Sequence, residues 1–431
     1  MQPLFDNEYV QCAVVGIVRE KKPDVFGYKR AGAEVAGMPD GRTMFEIGSL
    51  TKLFTLFLLA DLVRDGTIDF DSQVSAFLPE IHGLSDGQKA AMTVRHLVAH
   101  KSGLPRDIEN KSTDYRKQFE DFRVQDLYDY LDGCELKSAP GAEVLYSNVG
   151  YGLLGHILGR ASNTAYKDLL NARILDPLGM KDTFLLAKPE QHAVQGHDAD
   201  GNAAPGFGLQ PDNPLSAAGG LISNADDMLK FMQAWLHESD SPLGSLFASL
   251  EMHLGFGKDG MLRHSGQTYG YHAFLSAGRK RQSGVVVLAD TGTIYVTLAG
   301  GAIADLLAQG NCDPVKFPQS LQGSVPVEQS WVGDYEIPAN LVYEPGVIQE
   351  IRQANSGLII STRTRGAASP PAKLYPVSPG RFFIKSLDIE FEFEDGNLVM
   401  IPGQIAKHIF GGESFCCRKV HAVAESTPIS E

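Results

Sequence analysis

Ser49 and Lys52 stand three residues apart, Ser49-Leu50-Thr51-Lys52, at the head of an apolar stretch. On a helix that spacing sets a hydroxyl and an amine on one face, a turn apart. A hydroxyl is a weak nucleophile at its own pKa, and a neutral amine beside it can take its proton. Ser49 begins the helix, in the positive field of its N-terminus, and Gly48 before it permits close backbone approach. A second cluster is Tyr146-Ser147-Asn148. A phenol near an ammonium gives up its proton more readily and can serve as a general base. The Asn148 amide can fix a lysine and donate to a substrate carbonyl. The third cluster, His264-Ser265-Gly266-Gln267, precedes an alternating strand, Tyr271-His272-Ala273-Phe274-Leu275. A histidine and small residues at a strand edge let a substrate backbone approach closely. Each cluster alone has a plainer reading: Ser49 as an N-cap, Ser147-Asn148 as a turn before a buried helix, and His264 as a surface histidine before a hairpin.

The elements that must position these groups follow from periodicity. Residues 10–18 are rich in β-branched side chains and read as a strand, with a Lys-Lys-Pro-Asp turn at 21–24. Residues 51–64 read as a helix closed by Asp65-Gly66. Residues 80–145 are mixed and polar, with short helical pieces. Residues 150–161 predict a buried helix with glycines on its packing face, and 226–237 an amphipathic helix. Strands over 271–277 and 284–289 flank a turn, Gly278-Arg279-Lys280-Arg281, and a helix over 297–309 stops at Gly310. The texture then changes. Residues 312–326 form a linker by composition. Short strand-like segments follow at 333–337, 357–362, 382–384, 389–394, 398–401 and 406–410, a series that predicts a small antiparallel barrel or sandwich. The expected division is a main unit over 1–311, a linker, a barrel over 327–421 and a frayed tail over 422–431.

Bulk properties exclude several classes. A net charge of −14 over 431 residues argues against a nucleic-acid partner, and the Arg279-Lys280-Arg281 cluster reads as a solvated turn. Five irregularly spaced cysteines (Cys12, Cys134, Cys312, Cys416, Cys417) read as free thiols in a reducing compartment. Cys416 and Cys417 would face opposite ways in a strand. The first residues show neither the basic nor the apolar region of a secretory signal. The longest apolar run, near 53–63, is too short to span a bilayer. A cytoplasmic protein without membrane association is expected. His96 and His100 lie at i,i+4 spacing with no carboxylate in the needed pattern, so they read as packing groups and no metal is expected. No phosphate loop or dinucleotide fingerprint appears, so no cofactor is expected.

Taken together and in order, the three clusters resemble the serine β-lactamase and penicillin-binding-protein superfamily. The nearest branch is the class C-like one, with its DD-peptidases, D-aminopeptidases and family VIII esterases. Val94-Arg95-His96-Leu97-Val98-Ala99-His100-Lys101-Ser102-Gly103-Leu104, Ile174-Leu175-Asp176-Pro177-Leu178-Gly179-Met180 and Ala218-Gly219-Gly220-Leu221-Ile222-Ser223 also match family patterns. The resemblance covers roughly residues 8–310. It implies an α+β, β-lactamase/transpeptidase-like fold: an antiparallel sheet flanked by helices, plus an all-helical subdomain. It implies Ser49 as the acylated nucleophile and Lys52 and Tyr146 as the base system. Asn148 would orient Lys52 and the substrate amide, and His264, Ser265 and Gly266 would line the edge strand. The backbone N–H groups of Ser49 and Gln267 would form the oxyanion hole, where losing one donor typically costs about 2.7–4 kcal/mol.

One departure narrows the reading. Many β-lactamases carry Lys-Thr-Gly where this chain has His264-Ser265-Gly266. A neutral histidine lacks the lysine's fixed charge for a carboxylate. His-x-Gly resembles the DD-carboxypeptidase and D-aminopeptidase branches instead. The tail, with Trp331-Val332-Gly333-Asp334-Tyr335 and Leu374-Tyr375-Pro376-Val377-Ser378-Pro379-Gly380-Arg381-Phe382-Phe383, resembles the lipocalin-like barrel appended to some cytosolic D-stereospecific peptidases. Such a barrel would cap the cleft or mediate homo-oligomerisation. The implied activity is amide or ester cleavage through an acyl-enzyme on Ser49, on a small peptide-like substrate with a D-residue. A family VIII-type carboxylesterase or weak β-lactamase shares the same residues. A penicillin-binding sensor that stays acylated is the alternative of another class.

Overall fold

The computed structural model describes residues 1–431 except 86, 109–118, 120–121, 186–192, 208, 211, 237–260, 322–324, 339–345, 355–356, 364–368, 405, 408–413 and 422–431. The expected helix end at His237, the strand positions 408–410 and the tail lie outside the described residues.

Strands β1 (Cys12–Arg19) and β2 (Lys22–Lys29) form an antiparallel hairpin. Its turn is Glu20-Lys21, with φ of 48° and 71°. A two-residue turn with both φ positive matches the twist of the flanking strands. The turn therefore sits earlier than the expected 21–24, and Pro23 lies in β2, where an edge strand tolerates it. Strands β3 (Met44–Glu46), β4 (Phe184–Leu185) and β5 (Leu221–Asn224) form a small sheet in the order β3-β5-β4. Strands β6 (Met261–Gln267), β7 (His272–Gly278) and β8 (Ser283–Ala289) complete the main antiparallel sheet, β2-β1-β8-β7-β6. Every residue of β7 and β8 is buried. Alternate side chains feed two cores: Leu275, Val286 and Leu288 into one, Phe274, Val285 and Val287 into the other. His264-Ser265-Gly266 lies inside β6 rather than before a strand. As an edge strand exposed at Arg263 and Gln267, β6 carries too little apolar alternation to be seen in sequence.

Helix α1 (Thr51–Arg64) has twelve of its fourteen residues buried, so it runs through the core and shows almost no amphipathic stripe. Helix α2 (Asn148–Ser162) is capped by Ser147, whose Oγ accepts from Gly150 N at 2.8 Å. A Cβ on its Gly155 would come within 2.2 Å of Ala217 Cβ, so the glycine lets α2 close against the short helix Ser216–Gly219. Helices α3 (Ala225–Leu236) and α4 (Tyr295–Gln309) cover opposite faces of the main sheet, and Gly310 ends α4 at φ 78°. No helix of the described residues is long and apolar enough to cross a membrane.

Eight strands then close an antiparallel barrel: β9 (Gly333–Glu336), β10 (Ile348–Ala354), β11 (Gly357–Arg363), β12 (Ala372–Ser378), β13 (Arg381–Phe383), β14 (Ile389–Glu394), β15 (Asn397–Pro402) and β16 (Phe415–His421). Three of them lie outside the expected segments: β10, which turns the polar Gln349 inward, β12, which contains Pro376 at a register shift, and β16. Ala406 and Lys407, where the expected 406–410 strand begins, are helical. In β16, Cys416 is exposed and Cys417 buried. The barrel packs onto the main sheet through Phe383, which joins the cluster of Leu4, Tyr9, Phe274 and Tyr295. Asp200 accepts from Lys373 N at 2.9 Å and from Tyr375 Oη at 3.0 Å across the same contact.

Candidate active site

Ser49 sits in a single 3-10 turn, Gly48–Leu50, that runs into α1. Two glycines seat this turn on β6. Gly48 has φ +48°, and a Cβ there would lie 2.8 Å from Gln267 N. A Cβ on Gly266 would lie 2.0 Å from Ile47 O and 2.8 Å from Ser49 N. Only backbone fits between them, so the backbone nitrogens of Ser49 and Gln267 both lie where turn and strand touch.

The three clusters converge on Ser49 Oγ. Tyr146 Oη donates to it at 2.8 Å, and Lys52 Nζ lies 3.0 Å away. Lys52 Nζ also donates to Asn148 Oδ1 at 2.8 Å and to Ala218 O at 2.6 Å. Lys52 is only 1% exposed, and burial pulls its pKa below the usual 10.5 against the partial support of Tyr146. In the neutral form, which burial favours, the hydrogen-bond inventory becomes directional. A neutral amine has two N–H bonds and one lone pair. Ala218 O and Asn148 Oδ1 take both N–H bonds, so the lone pair is left for the Ser49 hydroxyl proton. Asn148 cannot turn its amide round, because its Nδ2 donates to Asp107 Oδ1 at 2.7 Å, and an ionised carboxylate only accepts.

Two histidines border this network, and both are neutral. His100 stacks on Tyr146, with ring centroids 4.5 Å apart, and its Nδ1 accepts from Ser147 N at 3.1 Å. Burial, then Lys52, pushes its pKa down to about 3. His264 Nδ1 donates to Ser265 O at 2.6 Å, and burial followed by Lys52 lowers its pKa to about 4. The third cluster therefore offers no cation at neutral pH. The Arg106 guanidinium lies 5.0 Å from the Tyr146 ring centre and pairs with Asp107 at 3.5 Å. A small cleft at Ser49 is lined by Asp107, Asn148, Phe119, Phe207, Leu215 and Gln267, among others.

Sequence reading named Ser49, Lys52, Tyr146, Asn148, His264, Ser265, Gly266 and Gln267, and the fold brings all eight to one place. It missed Asp107, His100, Ala218 and the Phe119–Phe207 wall. Asp107 sits in a loop with no periodicity, and Ala218 contributes only its backbone oxygen. His100 had been read as a packing group, while His96 does pack, closing a capping box with Thr93.

Residues 2–308 match the family model described as Beta-lactamase. The chain belongs to the beta-lactamase family. Homologues in that family are hydrolases that act through an active-site serine. A D-alanyl-D-alanine-carboxypeptidase/endopeptidase AmpH of Escherichia coli (strain K12) is 32% identical over 213 residues, covering 49% of this chain and 53% of that protein. Protein flp of Staphylococcus aureus (strain MW2) is 27% identical over 297 residues, covering 63% of this chain and 57% of its own. The chain thus spans about half the length of the curated relatives it matches. Among solved structures, a class C beta-lactamase superposes with a TM-score of 0.60 at 19% identity, over 73% of this chain and 95% of its own. That of Rhodobacter sphaeroides gives 0.58 at 22% identity, over 72% and 97%. These likenesses show the fold.

Proposed function

We propose that Ser49 is the nucleophile of an acyl-transfer hydrolase acting on small peptide-like amides, with a D-residue at the scissile bond. The observation that carries this reading is the buried Lys52 amine, held by Asn148 Oδ1 and Ala218 O with its Nζ 3.0 Å from Ser49 Oγ, so that in its neutral form the lone pair is left for Ser49. Ser49 Oγ attacks the carbonyl carbon and its proton passes to Lys52 Nζ. The carbonyl oxygen takes the negative charge beside the N–H groups of Ser49 and Gln267. Tyr146 Oη, 2.8 Å from Ser49 Oγ, hands a proton to the departing amine and recovers the one that Lys52 took from Ser49. Water then enters by the reverse relay, and the acid product leaves Ser49 free. Asn148 positions Lys52 and the substrate amide, while His264, Ser265 and Gly266 form the edge along which the substrate backbone lies.

Two facts support peptides over β-lactam antibiotics. His264 is uncharged at neutral pH, so the position where many β-lactamases carry the lysine of Lys-Thr-Gly offers no fixed cation to an antibiotic's carboxylate. A relative at 32% identity is named for cleaving D-alanyl-D-alanine. The test is a panel of D- and L-amino-acid anilides, short dipeptides, chromogenic esters and a β-lactam, with Ser49→Ala as control. Turnover of D-anilides that disappears in Ser49→Ala is expected. Fast ester turnover with anilides at background makes the protein a carboxylesterase instead. A persistent acyl adduct by intact mass, with no turnover, makes it a sensor.

A further inference from the structure

A second cavity, of about 310 Å3, opens between the barrel and the residues that follow the edge strand. Its barrel side is made of Ile360, Ile389, Phe391, Met400, Gln349 and Thr362, drawn from β10, β11, β14 and β15, so it is an open end of the barrel. Its other side is the turn Gln267-Thr268-Tyr269 and the loop at Ala203-Ala204-Pro205. Gln267 lines both this cavity and the Ser49 cleft. Tyr269 on this side meets Phe207 on the Ser49 side edge-on, with ring centres 5.4 Å apart.

The chemistry of the lining is specific. No lysine, arginine or histidine is among its residues, so an anion finds no partner. Its two carboxylates are already occupied: Asp198 accepts from the backbone nitrogens of Asp200 and Asn202, and Asp200 accepts from Lys373 N and Tyr375 Oη. One polar group stands out. Thr268 is 8% exposed and its buried Oγ1 has no hydrogen-bond partner in the protein, which makes this a polar point in an otherwise apolar wall. Gln349, 6% exposed, adds an amide whose oxygen accepts from Thr362 Oγ1 at 3.2 Å. A cavity of this size, apolar with a few convergent polar groups, is of the kind that takes small organic ligands.

We propose that this cavity is a distal substrate subsite, holding an uncharged, largely apolar segment of the molecule whose scissile carbonyl sits at Ser49. The barrel then serves as a specificity module. The proposal rests on the Ser49 reading above. The two residues from Gln267 to Tyr269 span at most roughly 7 Å, so a substrate gains from the cavity once it extends about that far from the carbonyl.

The test uses the full chain with Ser49→Ala, so that binding is read without turnover. It is titrated by calorimetry with neutral alkyl amides of about two to about ten carbons, extended on the acyl side or on the amine side. Affinity should rise about fourfold per methylene, the ordinary transfer value, once one of the two series reaches past roughly 7 Å. That rise should vanish when Ala203→Trp fills the cavity or Leu387→Asp charges its lining. In the Ser49-intact background both substitutions should leave hydrolysis of p-nitrophenyl acetate unchanged. Affinity independent of length in both series, or an equal rise in the substituted proteins, overturns the subsite. Failure of the Ser49 reading shows separately, as absence of ester turnover and of fluorophosphonate labelling in the unsubstituted protein.

Discussion

Gly266→Ala tests how tightly the Ser49 turn is seated. The added Cβ would stand 2.0 Å from Ile47 O and 2.8 Å from Ser49 N, whereas real Cβ contacts essentially never fall below 3.0 Å. Turn and strand must therefore part by about 1 Å, the shortfall at Ile47 O, and both neighbours are backbone. That shift moves Ser49 against Lys52 and Tyr146, which are fixed on α1 and at the head of α2, and parts the Ser49 and Gln267 nitrogens. A displacement of about 1 Å in a reacting group costs on the order of 100-fold in rate, equivalent to about 2.7 kcal/mol of activation free energy. The strain itself costs about 1–3 kcal/mol of stability. The assay is kcat/KM on a chromogenic ester together with the second-order rate of fluorophosphonate labelling, with melting temperature followed in parallel. Gly301→Ala in α4 is the control: its Cβ meets nothing within 4 Å, so activity should hold and stability rise by roughly 0.5–1 kcal/mol. A Gly266→Ala protein within threefold of the unsubstituted enzyme on both rates would refute the seating argument.

Three further outcomes follow from the same geometry. Asp107→Ala should lower kcat by about ten- to a hundredfold by freeing the Asn148 amide. Asp107→Asn, whose carbonyl still accepts from Asn148 Nδ2, should keep most of the rate, and equal losses in the two proteins would contradict the positioning role. Because burial holds Lys52 below 10.5 and the neutral amine is the base, kcat/KM should climb as pH rises through its folded pKa. Lys52→Arg, protonated throughout, should lose both that limb and the rate, and an active arginine protein would refute the base assignment. His100 and His272 (both about 3) and His264 (about 4) have folded pKa values well below the usual 6.5, so the unfolded chain binds more protons between those limits. Stability should be full above pH 6.5 and fall as pH drops toward 3. Urea unfolding across that range should show a shallower slope for His100→Gln, and an unchanged slope would remove His100 from the account.

Much of the site was readable because its parts are local. Ser49 and Lys52 share a helical face by spacing alone, and Tyr146, Ser147 and Asn148 are adjacent in the chain. The buried strands β7 and β8 and helix α1 were legible because their apolar content follows from burial itself. Elements that break that rule escaped: β6 is polar because it is an edge, β10 because it turns Gln349 inward, and β12 because a proline sits in it.

Sequence by itself named the groups that the fold gathers around Ser49 and the fold class that holds them, since residue type, order and short-range spacing are properties of the chain. Only tertiary structure decided the direction of the chemistry. Which way the neutral Lys52 amine turns its lone pair depends on Ala218 O, 166 residues away, and on Asn148, 96 residues away, which Asp107 holds in turn. Those contacts follow from helix packing and from two glycines that let backbone touch backbone, and no local pattern in the chain encodes them.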